Sequence, residues 1–307
     1  MKIEQLINKI EKEIKKGLEE QEDAEGLLKL QETVLRYEGE YKLVWSKDLL
    51  EELKTRPEPE KYNTEIEKLD DATGGFRPQQ LITLAAHTKH GKTTFGLFLL
   101  ERLEKLNPVF IPLEQSAEEI ILQRKDNNYS IPNFLSPHRV APQVTVDWIE
   151  YRVIEGIAKY NTKFVMIDNL DWIDKGDGRE TLAYRIGEVM RGLKAIAQRW
   201  NVIIILQAHI HQADEEKIPV LRDIKNSSDI AQNSDMVIML WRENTTVQNE
   251  KEYTNNTMLS IQANRRTGKN VNIKFIFDDK EGIFNESEWL ASYTAMSEKD
   301  KEVLGEK

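Results

Sequence analysis

No cysteine occurs in the 307 residues, so disulfides and thiolate metal ligands are excluded and a reducing cytoplasm is the expected compartment. No apolar run approaches the roughly 18 residues of a membrane span, and the opening MKIEQLINKIEKEIKK has no signal-peptide core, so no membrane partner is expected. Basic charge is also in deficit. A formal net charge of −10 argues against a broad basic face that coats nucleic acid, while leaving room for a small basic channel inside an acidic body. What is present, 39% hydrophobic and 31% charged residues, fits a soluble globular chain with one sizeable core, or one core plus a small appendage.

Residues 1–60 carry 11 Lys/Arg against 16 Asp/Glu, half of the net charge. Ile3, Ile7, Ile10 and Ile14 recur at helical spacing, and a second stripe runs through Leu27, Leu30 and Val34. Gly17 and Gly26 divide the stretch into two helices, either a hairpin on its own core or an arm that docks its narrow apolar face on a neighbouring subunit. The stretch TRPEPEKYN at 55–63 is a linker. The expected organisation is a helical arm at 1–54, the linker, an α/β domain at 64–290 and a polar tail at 291–307.

Beyond the linker, strand and helix alternate. LITLAA (81–86), PVFIPLE (108–114), KFVMIDNL (163–170), VIIILQAH (202–209) and DMVIMLW (235–241) are apolar on both faces, as strands of a largely parallel, covered sheet should be. Helices are expected at 93–106, 146–160 and 180–200. TMLSIQANRR (257–266) and NVNIKFIFDD (270–279) form a β-hairpin across a Thr-Gly-Lys turn. The fold class is α/β.

AHTKHGKTT at 86–94 is nearly a phosphate-binding loop, with alanine in place of its first glycine; it is either a working nucleotide site or a Gly-Lys-Thr turn by coincidence. A strand precedes it and a helix follows, so backbone N–H groups along Ala86, His87, Thr88, Lys89, His90, Gly91, Lys92, Thr93 and Thr94 would wrap a phosphate at the helix's positive end. Lys92 would bridge β- and γ-phosphates, and Thr93 would ligate Mg²⁺. Alanine is tolerated at 86 if φ there is negative. Asp168 ends an apolar strand and would hold the metal's water shell opposite Thr93. Glu114 either polarises the attacking water, if its strand neighbours the loop strand, or merely starts the acidic helix QSAEEI.

TEIEKLDDATGGFRPQQLITLAAHTKHGKTTF, LEQSAEE, FVMIDNL, NVIIILQAHI, DIKNSSDIAQNSDMVIMLWRE and ANRRTG together resemble the motor domain of DnaB-type replicative helicases, which are RecA-fold ring ATPases. The resemblance spans about residues 62–284, and in that family alanine is common at the position of Ala86. It implies ATP and Mg²⁺ as cofactors, a ring-shaped homo-oligomer, expected as a hexamer, and 5′-to-3′ movement on single-stranded DNA. Carried onto this sequence, it makes Glu114 and Lys92 catalytic and His209 a sensor of the γ-phosphate. Lys225, Asn226, Ser227 and Ser228 would contact DNA, with the loop 211–222 ahead of them, and Gln232 would couple that loop to the nucleotide. Arg242 would stack on adenine with help from Phe277, and Arg265 would reach the γ-phosphate held by the next subunit.

Two departures stand out: Ala263 where a lysine is usual, and Asn226-Ser227-Ser228 where glycine is frequent. The short acidic N-terminal stretch in place of a larger domain suggests a minimal phage- or plasmid-like form, in a bacterial or phage-infected cytoplasm. Such a motor would work beside a separate primase, polymerase or helicase loader. A RecA-like recombinase or mediator, and a non-unwinding ATP-binding regulator or scaffold, are the alternative functions.

Overall fold

A computed structural model describes residues 43–58, 60–176, 181–210, 215–224, 227–247 and 250–288, with the backbone alone at 227, 245–247 and 250. The expected helices at 1–42, the tail at 291–307, Lys225, Asn226 and the first four residues of the 211–222 loop lie outside the described residues. Two compact units divide between Glu58 and Pro59. In the first, helix α1 (Ser46–Thr55) is described, and none of its residues is buried.

The second unit is built on one eight-stranded sheet, ordered β2-β3-β4-β1-β5-β6-β7-β8. β1 (Leu81–Ala86), β2 (Val109–Pro112), β3 (Phe164–Asp168), β4 (Ile203–His209) and β5 (Met236–Val247) pair in parallel. β6 (Glu250–Asn264), β7 (Val271–Asp278) and β8 (Ile283–Glu286) continue it antiparallel. The period of two along each parallel strand feeds two cores. Ile82, Leu84, Ile203 and Ile205 pack on one side with Phe95 and Leu99 of α3 (Lys92–Arg102), and with Leu69 of α2 (Glu67–Thr73). Leu81, Ala85, Ile204 and Leu206 pack on the other with α5 (Val146–Tyr160) and α6 (Leu182–Trp200).

Local chemistry explains the boundaries. The helix expected to reach 106 stops at Arg102 and tightens into a 3₁₀ turn at Glu104–Leu106, because Asn107 turns left-handed at φ 48° before Pro108. The acidic stretch after Glu114 becomes α4 (Ala117–Asp126), opened by a capping box between Ser116 and Glu119. The expected hairpin is present, but β6 begins at Glu250 because β5 runs on to Val247 and pairs with it. β8 has no counterpart among the expected strands; its four residues are held by Phe284 against Phe277 and Phe95.

Candidate active site

The carboxyl ends of four adjacent strands, β2, β3, β4 and β1, each deliver one expected site group. β1 runs into the phosphate loop, and Ala86 is its last residue, paired with His209 on one side and Leu240 on the other. Ala86 is absent from the positive-φ residues, so its methyl meets no backbone penalty. The loop's unusual geometry falls instead on Lys89 (φ 67°) and Gly91 (φ 86°). At Gly91 a Cβ would meet nothing within 4 Å, so the requirement there is conformational, with the space in front of the turn left open. Replacing Ala86 by glycine is therefore expected to destabilise the chain by about 0.5–1 kcal/mol without raising nucleotide affinity, as denaturant titration and binding would read.

Lys92 and Thr93 open α3 and both turn to Asp168. The Thr93 hydroxyl donates to Asp168 Oδ2 at 2.7 Å, and Lys92 Nζ lies 3.3 Å from Oδ1, with both charged side chains 5% exposed. Gln207 of β4, with its amide nitrogen facing Asp168, donates to both carboxylate oxygens at 3.2 and 3.3 Å. Gly96 makes this approach possible: a Cβ there would collide with the Gln207 amide and the Met166 sulfur. An adjoining hydroxyl and carboxylate beneath an open, glycine-turned loop suit a hard divalent cation and a polyphosphate.

Glu114 requires a correction. Its strand β2 does not neighbour β1; β3 and β4 lie between them, because the crossovers place β2 at the sheet's edge. Glu114 nevertheless reaches the site, since its backbone N–H donates to the Asp168 carbonyl at 3.3 Å and its Oε2 lies 3.4 Å from His209 Nε2. Lys92 Nζ is 3.5 Å from that same nitrogen. Burial first, and the Lys92 charge second, hold His209 below the ordinary histidine range; Glu114 and Asp171 oppose them.

The remaining residues fall at two places. Arg242 of β5 sits near the phosphate loop: its backbone N–H donates to His90 Nδ1 at 3.0 Å. Its guanidinium lies 5.9 Å from the Phe277 ring and 5.7 Å from Tyr253, and donates to Thr254 O at 2.5 Å and Asn255 Oδ1 at 3.2 Å. Arg265 lies at the opposite end of the strands, where β1 and β5 begin. Its N–H donates to Asp235 O, and Asp235 is bonded to Leu81, the first residue of β1. Met236 pairs with both Asn264 and Ile82, and Arg265 lies one residue beyond Asn264, level with Asp235, so the arginine starts five residues before Ala86 along the strand direction, about 17 Å at 3.3 Å per residue.

Arg265's side chain donates to the Gln232 carbonyl at the end of α7 (Ser227–Asn233). Gln232 is therefore placed with Arg265, away from its own chain's phosphate loop. Ser227 opens α7, and Ser228 lies exposed one residue later. Arg266 is committed elsewhere, to the Thr73 carbonyl at 3.1 Å, and Ala263 is partly buried against the core that includes Leu81 and Leu206.

The chain matches the DnaB-like helicase C terminal domain over residues 62–133 and 138–286, most of its length. It belongs to that family. It is 25% identical over 255 residues to the replicative DNA helicase DnaB of Mycoplasma genitalium, covering 71% of this chain and 54% of that protein. It is 25% identical over 241 residues to that of Geobacillus stearothermophilus, covering 67% and 52%. The chain thus spans about half the length of the curated relatives it matches. Among solved structures, a DnaB-like replicative helicase described with its interactions with primase aligns at TM-score 0.64 and 18% identity, over 92% of this chain and 75% of that one. A solved ATPase domain aligns at TM-score 0.62 and 20% identity, over 79% and 97%. The fold is the RecA-like one of DnaB-type motors. No described helix is long and apolar enough to cross a membrane.

Within this DnaB-like domain, sequence reasoning missed Asn169, Gln207 and Tyr253 as part of the site. Buried amides carry no local signature; only the parallel pairing of β3 with β4 brings Gln207 to Asp168 and Asn169 to His209. It also missed the tie between His90 and Arg242. His90 is 1% exposed, and burial first, then neighbouring His87, push it down to about 4 against the pull of Glu215. Its ordinary value is 6.5, so the unfolded chain takes up a proton that the folded chain refuses between pH 6.5 and about 4. The His90 contribution to stability is thus whole above pH 6.5 and is lost as pH falls toward 4, by up to ~3 kcal/mol. Denaturant midpoints from pH 7 to 4.5 should fall more steeply for wild type than for His90→Asn.

Proposed function

We propose that this chain is the motor of a replicative DNA helicase, an ATP hydrolase that moves on single-stranded DNA as a ring of copies. The observation that carries the reading is the convergence of Lys92, Thr93, Asp168, Glu114 and His209 at the carboxyl ends of four adjacent strands. Thr93 and Asp168 would hold Mg²⁺, which when bound supplies charge neutralisation at the phosphates. Lys92 would release Asp168 to meet the β- and γ-phosphate oxygens, and the loop amides would cradle them. Glu114 would orient water and accept its proton, with His209 facing the transferred group. Arg242, Tyr253 and Phe277 would frame the base.

Arg265 would complete the site of the next copy, since its own chain carries it at the end of the strands opposite the loop. Ser227 and Ser228, with Lys225 and Asn226, would face the DNA in the ring's channel. A separate primase or loader is a fitting partner, and the 5′-to-3′ direction rests on family resemblance. The test is hydrolysis by the purified chain with and without single-stranded DNA, alongside electron microscopy with nucleotide. Rings and DNA-stimulated turnover are expected. Turnover indifferent to DNA would sink the motor reading, and helical filaments would favour a recombinase.

A further inference from the structure

Asn169 is fully buried and follows Asp168 at the end of β3. A neighbour with no choice of role sets its orientation: the Asp171 backbone N–H can only donate, and it lies 2.9 Å from Asn169 Oδ1. Nδ2 therefore faces the other way, 2.6 Å from Glu114 Oε2 and 3.0 Å from His209 Nε2. Its two protons serve one acceptor each. The Lys92 ammonium, another obligate donor, stands 3.5 Å from the same His209 nitrogen. With two donors aimed at Nε2, that atom must accept, so His209 is neutral with its ring proton on Nδ1. The 3.4 Å approach of His209 to Glu114 is then two acceptors sharing one amide, and not an ion pair.

Glu114 needs such a tether. Its side chain is 41% exposed on the segment after β2, and among the described residues Asn169 is the amide that donates to its carboxylate. An untethered glutamate there would spread over solvent-facing rotamers. We propose that Asn169 is a positioning residue whose amide holds the Glu114 carboxylate beside His209 and sets the His209 tautomer. The consequence for turnover rests on the reading of Glu114 as the water-orienting group; the tautomer does not.

The test uses the full chain and two variants. Asn169→Asp keeps the oxygen that accepts the Asp171 N–H and keeps the shape, but replaces the donor with an acceptor. Asn169→Ala removes both functions, so comparing the two separates positioning from turn capping; if the alanine variant unfolds, the aspartate variant carries the test. Nitrogen-15 spectra of labelled histidines, assigned with His209→Gln and recorded without nucleotide, report the tautomer. Turnover and the affinity for a fluorescent ATP analogue are measured beside them.

The expected result is an Nδ1–H tautomer in wild type and a proton on Nε2 in Asn169→Asp. Turnover in that variant should fall roughly 10- to 100-fold, with affinity kept within about 3-fold. Wild-type His209 protonated on Nε2, or an Asn169→Asp chain with unchanged tautomer and wild-type turnover, overturns the proposal. A tautomer that changes as expected between wild type and Asn169→Asp, in a wild-type chain that hydrolyses no ATP, instead overturns the ATPase reading and leaves the placement of His209 standing.

Discussion

Arg265→Ala should lower ATP turnover by about 10³-fold or more while nucleotide affinity and assembly stay near wild type. Arg265 is exposed at the turn between β6 and β7, anchored through Asp235 to the beginning of β1, whereas the phosphate loop follows that strand's end. An arginine side chain cannot round the sheet to its own loop, so any effect on chemistry must be exerted on another copy. Arg266 does not substitute for it, since its guanidinium is held on the Thr73 carbonyl of its own chain. Two inactive chains should then complement each other. Mixed with Lys92→Ala, the Arg265→Ala protein should recover turnover, because some interfaces pair an intact loop with an intact arginine. No recovery on mixing, or full activity of Arg265→Ala alone, would refute the shared site.

Lys92→Ala should lose both nucleotide affinity and turnover, and it should also cost stability. Lys92 and Asp168 are each 5% exposed and 3.3 Å apart, a pair with little water to screen it. Removing one partner leaves the other's charge buried, typically a loss of 3–5 kcal/mol. Asp168 retains the Thr93 hydroxyl and the Gln207 amide, so the loss should sit at the low end, about 3 kcal/mol. Denaturant unfolding without nucleotide measures it. A midpoint equal to wild type would mean that Asp168 does not depend on the lysine for its charge. Lys92→Met, which keeps the stem and its packing, separates the charge effect from the lost volume.

Much of the site was legible because its parts are local. A buried strand, a turn that needs glycine at 91, a helix start and a lysine-threonine pair are contiguous, and each obeys a short-range rule of period or backbone conformation. The same holds for β3 ending on Asp168 and β4 ending on His209. Ala86 is of this kind: one residue at the end of a strand, asked only to keep a negative φ.

By itself, then, the sequence determined the alternating α/β order, the glycine-turned loop between β1 and α3 and the residue types at the strand ends, since pattern and backbone preference act over a few residues. Tertiary structure alone decided strand order, and with it that Glu114 arrives from the sheet's edge rather than from beside β1. It decided that Asn169 joins residues 55 positions before it and 40 after it. It also decided that Arg265 faces away from its own phosphate loop. The physical reason is common to all three. A hydrogen bond or a reach is a distance between side chains, and crossovers that place strands beside one another are set by the packing of both cores, which no short stretch of chain contains.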